Sequence, residues 1–364
     1  MRSIFLGVSI LFSLVAMAQN FQVMVGTYTR SGSYGIYQLS FNELNGELAV
    51  LDSVQSSNPS YLAIHPNGKI MVAVNENDPG RLTSYGLSQN GKWTEISSQD
   101  TRGAHPCYVS INKAGNVVVV ANYSGGSVTV YRMDSSGRLS EALQHIQRSG
   151  SSVNSGRQKA PHAHSAIFSP DEKYVVVADL GTDEVVAYPF RASRSRPLQE
   201  KRAKIYAAKP GSGPRHTAFH PNARVLYVME ELSGTVTALQ FRRGAMRPLQ
   251  TILADDISKS PGSADIHVHS SGSFVYGSNR IEANNISTFK VLNGGQLELV
   301  GHQTTGGQTP RNFTLSPSGK YLVVANQNSN NIVVFKIGAN GMPVPTGFEL
   351  QIASPVCLKF YKPN

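Results

Sequence analysis

The sequence predicts an all-β fold, a seven-bladed β-propeller of four-stranded antiparallel blades, on three observations. One unit recurs along almost the whole chain of 364 residues, with turn anchors at Pro66, Lys113, Pro170, Pro221, Ser270 and Pro317. These anchors lie about 47 to 57 residues apart, the spacing of a propeller blade. Each unit carries short strand-like runs, and no segment holds a 3.6-residue apolar period long enough for a substantial helix.

Taken in order, Tyr61–Ile64 and Ile70–Val74 belong to the first blade, Tyr108–Ile111 and Val117–Ala121 to the second. Ala166–Phe168 with Tyr174–Ala178 makes the third, and Arg215–Phe219 with Arg224–Glu230 the fourth. Ile266–Val268 with Phe274–Gly277 and Phe313–Leu315 with Tyr321–Ala325 follow as blades five and six. Runs this apolar imply strands covered on both faces, as neighbouring blades would cover them. A seventh blade can be assembled from Val356–Phe360 at the C-terminus and the runs Val23–Tyr28 and Gly35–Leu39 at the N-terminus. Its N- and C-terminal strands would close the ring and remove the exposed edges of an open array.

Residues 1–18 read differently. Met1-Arg2, an apolar stretch from Ile4 to Val15 and Ala16-Met17-Ala18 describe a signal peptide cleaved near Ala18, leaving one propeller domain over 19–364. The apolar part is short for a bilayer span, and no later stretch reaches that length. An exported protein, periplasmic or secreted, is therefore expected. Cys107 and Cys357 fall on blades too far apart to bridge, so two free buried thiols are expected. A closed ring has no spare edge, which makes a monomer the expectation.

The formal net charge is +10, which suits an anionic partner. Nucleic acid is disfavoured. The basic residues are scattered except for Arg191–Arg202, a loop without interleaved aromatics that reads as a solvated outer turn.

Register locates a site. Six residues before each anchor stand Ser60, Cys107, His164, Arg215, Ala264 and Arg311, and ten residues after it stand Glu76, Tyr123, Leu180, Glu231, Arg280 and Gln327. A turn centred two residues past the anchor would set these two rings opposite one another at one mouth of the propeller. Charged groups are seldom buried without partners or a task, so the arc of His164, Arg215, Glu231 and Arg280 is the candidate catalytic set. Arg311, Glu76, Tyr123 and Gln327 in the same rings are the candidate substrate-binding residues. The competing reading is an Arg-Glu network that merely locks blades together.

The ring nine residues past the anchor (Asn75, Asn122, Asp179, Glu230, Asn279, Asn326) is polar in every copy and reads as strand-end hydrogen bonding to backbone. His65, His220 and His269 each precede an anchor and read as structural. Two His-x-His segments, His162-Ala163-His164 and His267-Val268-His269, lack a third ligand at metal spacing, so neither a metal nor another cofactor is expected. Nucleophile-elbow, P-loop and dinucleotide motifs are absent from the sequence.

Several words in order resemble the seven-bladed lactonase family of propeller-type 6-phosphogluconolactonases and carboxy-cis,cis-muconate cyclases. They are Val25-Gly26-Thr27-Tyr28-Thr29, Val74-Asn75-Glu76, Ala121-Asn122-Tyr123-Ser124-Gly125-Gly126-Ser127, Pro161-His162-Ala163-His164, Asp179-Leu180-Gly181-Thr182-Asp183, Gly213-Pro214-Arg215-His216, Glu231-Leu232 and Ser278-Asn279-Arg280. The resemblance implies an active site of His, Arg, Glu and a second Arg, which fall on His164, Arg215, Glu231 and Arg280, with no required metal. Glu230 departs from the pattern, since an Asn before the Glu is more usual.

The leading expectation is hydrolysis of a small anionic sugar-acid lactone, with His164 as general base, Arg215 and Arg280 as anion and oxyanion holders, and Glu231 orienting them or protonating the leaving alkoxide. A muconate cyclase would use the same groups in the opposite sense, closing a carboxylate onto a double bond. An exported propeller that binds a ligand without turnover is the third reading.

Overall fold

The computed structural model describes residues 20–255 and 262–362. The expected signal peptide at 1–18 lies outside the described residues. Seven four-stranded antiparallel sheets are arranged as a ring, and their first strands contact one another in succession until the last meets the first again. The seventh sheet has the order Pro355–Tyr361, Asn20–Thr27, Gly35–Asn42, Leu48–Gln55, so the two ends of the chain share one blade. Among the described residues helix is confined to two three-residue 3-10 turns, at Thr29–Ser31 and Glu200–Arg202.

The period-2 geometry of a strand explains the uninterrupted apolar runs. In the strand Val117–Asn122, Val118 and Val120 pack into the cluster shared with the preceding blade, while Val117, Val119 and Ala121 pack into the cluster shared with the following one. The strand Val225–Glu230 repeats the division, sending Leu226 and Val228 to one neighbour and Val225, Tyr227 and Met229 to the other. Each such side chain contributes about 1.5–3 kcal/mol when fully buried. These two strands are thus packed on both faces against neighbouring blades.

The ring of amides behaves as strand-end punctuation. Asn75, Asn122, Asn279 and Asn326 each donate Nδ2–H to a backbone carbonyl, of Ser57, Thr101, Ala254 and Thr305 respectively, at 2.8 to 3.2 Å. Glu230 accepts from Thr237 at 3.2 Å and from Thr235, and burial raises its pKa. His220 and His269 donate from Nε2 to the carbonyls of Gly272 and Gly319, both at 3.0 Å, tying one blade to the next. Cys107 and Cys357 are free and buried.

Candidate active site

One correction to the register creates the site. Residues six before and ten after the anchor are not opposite one another, because the first strand carries a β-bulge at that place. In the fourth blade Pro214 pairs with Glu230 and His216 with Met229, leaving Arg215 as the extra residue. Cys107, His164 and Arg311 occupy the same bulge in their blades. In the fifth blade the bulge takes up Ala264 and Asp265. A bulge turns a side chain away from the sheet face it would otherwise join. The fold therefore delivers a ring of side chains to the tunnel from strands whose other residues are buried between blades.

Glu231, one residue past its strand, is the hub of that ring. Its Oε2 accepts from Arg215 Nε at 3.0 Å and lies 3.1 Å from Arg280 Nη2, while Oε1 accepts from Arg157 Nη2 at 2.7 Å. Burial opposes the charge on Glu231, but Arg280, Arg215 and Arg157 outweigh it and bring the carboxyl down to about 2. Arg215 also donates to the Ala264 carbonyl at 2.6 Å, and Arg280 to that of Gly262 at 2.7 Å. Burial depresses Arg215, with Arg311 adding to the effect, and burial likewise brings Arg280 down to about 9. Mutual repulsion among these cations favours an incoming anion.

Arg311 is placed differently. Among the described residues it makes no ion pair within 4.0 Å, and its Cζ lies 5.4 Å from the Tyr28 ring centroid. Tyr28 donates to Glu76 Oε2 at 2.9 Å. His164, 4% exposed, sets its ring edge-on to Tyr123 and to His216, each at 5.3 Å. Burial, then the positive field of Arg215, pushes its pKa well below the ordinary histidine value, so the imidazole is neutral at pH 7.

These groups enclose a cavity of about 340 Å³ lined by Glu76, Tyr123, His164, Glu231, Arg280 and Arg311, together with Arg157. Arg215 lies deeper, in a small chamber beneath it. Gln327 does not reach the cavity; it lines a neighbouring one of about 550 Å³ with Tyr28 and Glu76. Residues 194–196 and 198–202 line a separate hollow of about 810 Å³ that contains none of the ring residues. Among the described residues no group of three His, Cys, Asp or Glu could hold a metal. Of the two His-x-His segments, His162 stacks on Tyr123 with ring centroids 4.4 Å apart, while His267 Nε2 and His216 Nδ1 bond opposite oxygens of Asp265 at 3.1 and 2.7 Å.

The sequence model of the family described as lactonase, 7-bladed beta-propeller, matches residues 22–360. The chain belongs to this family. A 6-phosphogluconolactonase of Formosa agariphila is 35% identical over 86% of this chain and 92% of its own length. One from Bacillus subtilis is 34% identical over 92% and 97%. Among solved structures, the periplasmic gluconolactonase of Pseudomonas aeruginosa is 34% identical, with a TM-score of 0.88 covering 95% of this chain and all of that one.

Arg157 escaped the sequence reading of this lactonase-family chain because it lies in no repeat. The segment between the strands Gln144–Gln147 and Ala163–Phe168 carries it, and a connection of that length without strands is itself a signal of function. The segment is pinned from below. Gln158 donates to the Leu180 carbonyl at 2.8 Å, Ser152 to Asp183 at 2.5 Å, and Arg148 bonds Asp179 and Glu184. Gly181 permits this approach, since a Cβ there would sit 1.9 Å from the Ala160 oxygen. Arg157 then spans Tyr123 Oη, at 3.1 Å, and Glu231. Its side chain is 43% exposed, so Arg157→Ala is expected to cost under about 1 kcal/mol of stability. Its KM for an anionic substrate is expected to rise about tenfold, the scale of one charge-assisted hydrogen bond. Thermal melts beside initial rates check both halves.

Proposed function

We propose that this protein hydrolyses a sugar-acid lactone bearing an anionic group, in the manner of its 6-phosphogluconolactonase relatives. The observation that carries the reading is Arg311, a guanidinium that lines the cavity with His164 and makes no ion pair within 4.0 Å among the described residues. Around the site four guanidinium groups, of Arg157, Arg215, Arg280 and Arg311, face two carboxylates, of Glu76 and Glu231. The surplus matches a phosphate or carboxylate on the substrate.

In this mechanism His164, neutral at rest, takes a proton from water as the water oxygen adds to the lactone carbonyl. Arg280 offers N–H donors to the developing oxyanion, leaving Arg311 for the anionic group of the substrate. Collapse of the tetrahedral intermediate breaks the ring C–O bond, and the leaving alkoxide collects the proton from His164. Glu231, ionised at any pH above about 2, holds three cations in place and does not donate the proton. Export is part of the same proposal, supported by the N-terminal sequence Met1-Arg2 to Ala18 and by the periplasmic location in the name of the Pseudomonas neighbour.

A panel of lactones with and without the anionic group tests the reading. The phosphorylated or carboxylated form is expected to exceed its neutral counterpart in kcat/KM by about tenfold or more. Arg311→Ala is expected to erase most of that preference. Equal rates for both forms would remove the anion-binding role, and no turnover of any lactone would remove the hydrolase.

A further inference from the structure

Beneath the cavity the tunnel narrows to a chamber of about 10 Å³ whose wall includes Ser60, His164, Arg215 and Arg311. That is the room taken by one water molecule. The chamber and the cavity above meet across shared residues, Glu76, Cys107, His164 and Arg311. Whatever sits below is thus adjacent to whatever carbonyl sits above.

The mechanism so far uses none of Ser60, Tyr61, His216 and Asn312 on this wall, and of these four only Ser60 has a buried side-chain oxygen without a partner. It stands at the position in the first blade that His164, Arg215 and Arg311 occupy in theirs, six residues before the anchor. The residue is 4% exposed, and its hydroxyl oxygen is fully buried with no hydrogen-bond partner. Its backbone is fixed, the N–H donating to the Asn58 carbonyl at 2.8 Å. Buried hydroxyls are rarely left unbonded. The neighbouring Cys107 thiol lies 3.4 Å from the His164 carbonyl and 3.7 Å from both the Ala163 carbonyl and His164 Nδ1, while burial and the Glu76 charge keep it protonated. Ser60 Oγ, unbonded, and the neutral His164 imidazole thus both line the chamber.

We propose that this chamber seats the hydrolytic water and that Ser60 orients it for His164. The inference rests on the lactonase reading above. The water donates one O–H to Ser60 Oγ and the other to His164, which directs a lone pair upward to the lactone carbonyl carbon. As the C–O bond to water forms, the proton moves to His164. When the ring C–O bond breaks, the same proton passes to the departing alkoxide, giving the hydroxy acid with no other reactant. Ser60 keeps its own proton throughout and is never acylated.

The experiment uses the full chain. A high-resolution crystal structure is expected to place an ordered water within hydrogen-bond distance of Ser60 Oγ. Ser60→Ala removes a hydroxyl with no hydrogen-bond partner among the described residues, so its melting temperature is expected to stay at the wild-type value. Its kcat is expected to fall about tenfold with KM held within about twofold, the pattern of a misplaced nucleophile. Ser60→Gly, which widens the chamber, is expected to admit methanol and raise the ratio of methyl ester to free acid above that of the wild type. A Ser60→Ala enzyme with undiminished kcat would make any water there structural only and end the proposal. A dry chamber, a change confined to KM, or an acylated Ser60 in the mass spectrum would each do the same. If the wild type itself opens no lactone, the reading of the preceding subsection has failed and this proposal falls with it. A working wild type beside an unaffected variant isolates the failure to Ser60.

Discussion

Glu231→Ala is expected to destabilise the protein by about 3–5 kcal/mol, the cost of stranding buried charge by removing its partner. Three guanidinium groups converge on this one carboxylate. Among the described residues Arg215, whose side chain is 2% exposed, would keep only its bond to the Ala264 carbonyl, and Arg280, at 11%, only that to Gly262. Arg157 reaches solvent and would lose much less. Denaturant titration measures the loss as a lower midpoint. Pairing Glu231→Ala with Arg215→Met, which removes the stranded cation as well, is expected to recover part of it. A loss below about 1 kcal/mol in the single variant would mean that water already solvates the hub.

The sign of the pH dependence separates this role from proton donation. Because the folded carboxyl sits at about 2, below the value of an unfolded Glu near 4.5, its stabilising contribution is complete above pH 4.5 and is lost as pH falls through 2. Wild-type stability should carry that acid slope, and Glu231→Gln should lack it. A general acid working near neutrality would instead need a raised carboxyl. Glu230, next in sequence, is the raised one, yet it is spent on the hydroxyls of Thr235 and Thr237 rather than on the cavity.

How much of this was legible depended on repetition. The spacing of Pro66, Pro170 and Pro221 reveals the blades, because each blade buries both faces of an apolar strand and therefore repeats the same apolar run. The ring holding His164, Arg215 and Arg311 was legible for the same reason, since charged residues interrupt an otherwise apolar pattern at a fixed distance from the turn. The bulge beneath that ring was not, because an extra residue inside a strand changes the partner of Arg215 without changing the composition around it. Gln327 shows the limit of counting. It holds the ring position of Glu231 and Arg280, but it faces the neighbouring cavity. Arg157 belongs to no repeat, so its approach to Glu231 follows from the path of a loop that has no periodic signal. Ser60 had the right position and an unremarkable side chain, and only its burial without a partner distinguishes it.

His164→Ala is expected to lower kcat by about 100-fold or more, and the pH profile is expected to say why. Burial, Arg215, His216 and Arg311 all act against the imidazolium, so in the free enzyme the proton arrives only well below the ordinary value near 6.5. A general base works unprotonated, and the acid limb of kcat/KM, which reports the free enzyme, therefore lies below pH 6.5. An anion bound to Arg311 neutralises part of the field that holds His164 down. The imidazole in the complex is then easier to protonate, and the acid limb of kcat should lie at higher pH than that of kcat/KM. With a neutral lactone the two limbs should nearly coincide, because no charge has been brought in. Stability follows the same proton: the unfolded chain accepts it near pH 6.5 and the folded chain refuses it, so the fold weakens as pH drops below that value, and His164→Ala should weaken less steeply. A limb of kcat lying below that of kcat/KM for an anionic lactone would reverse the sign and remove His164 as the group that takes the proton.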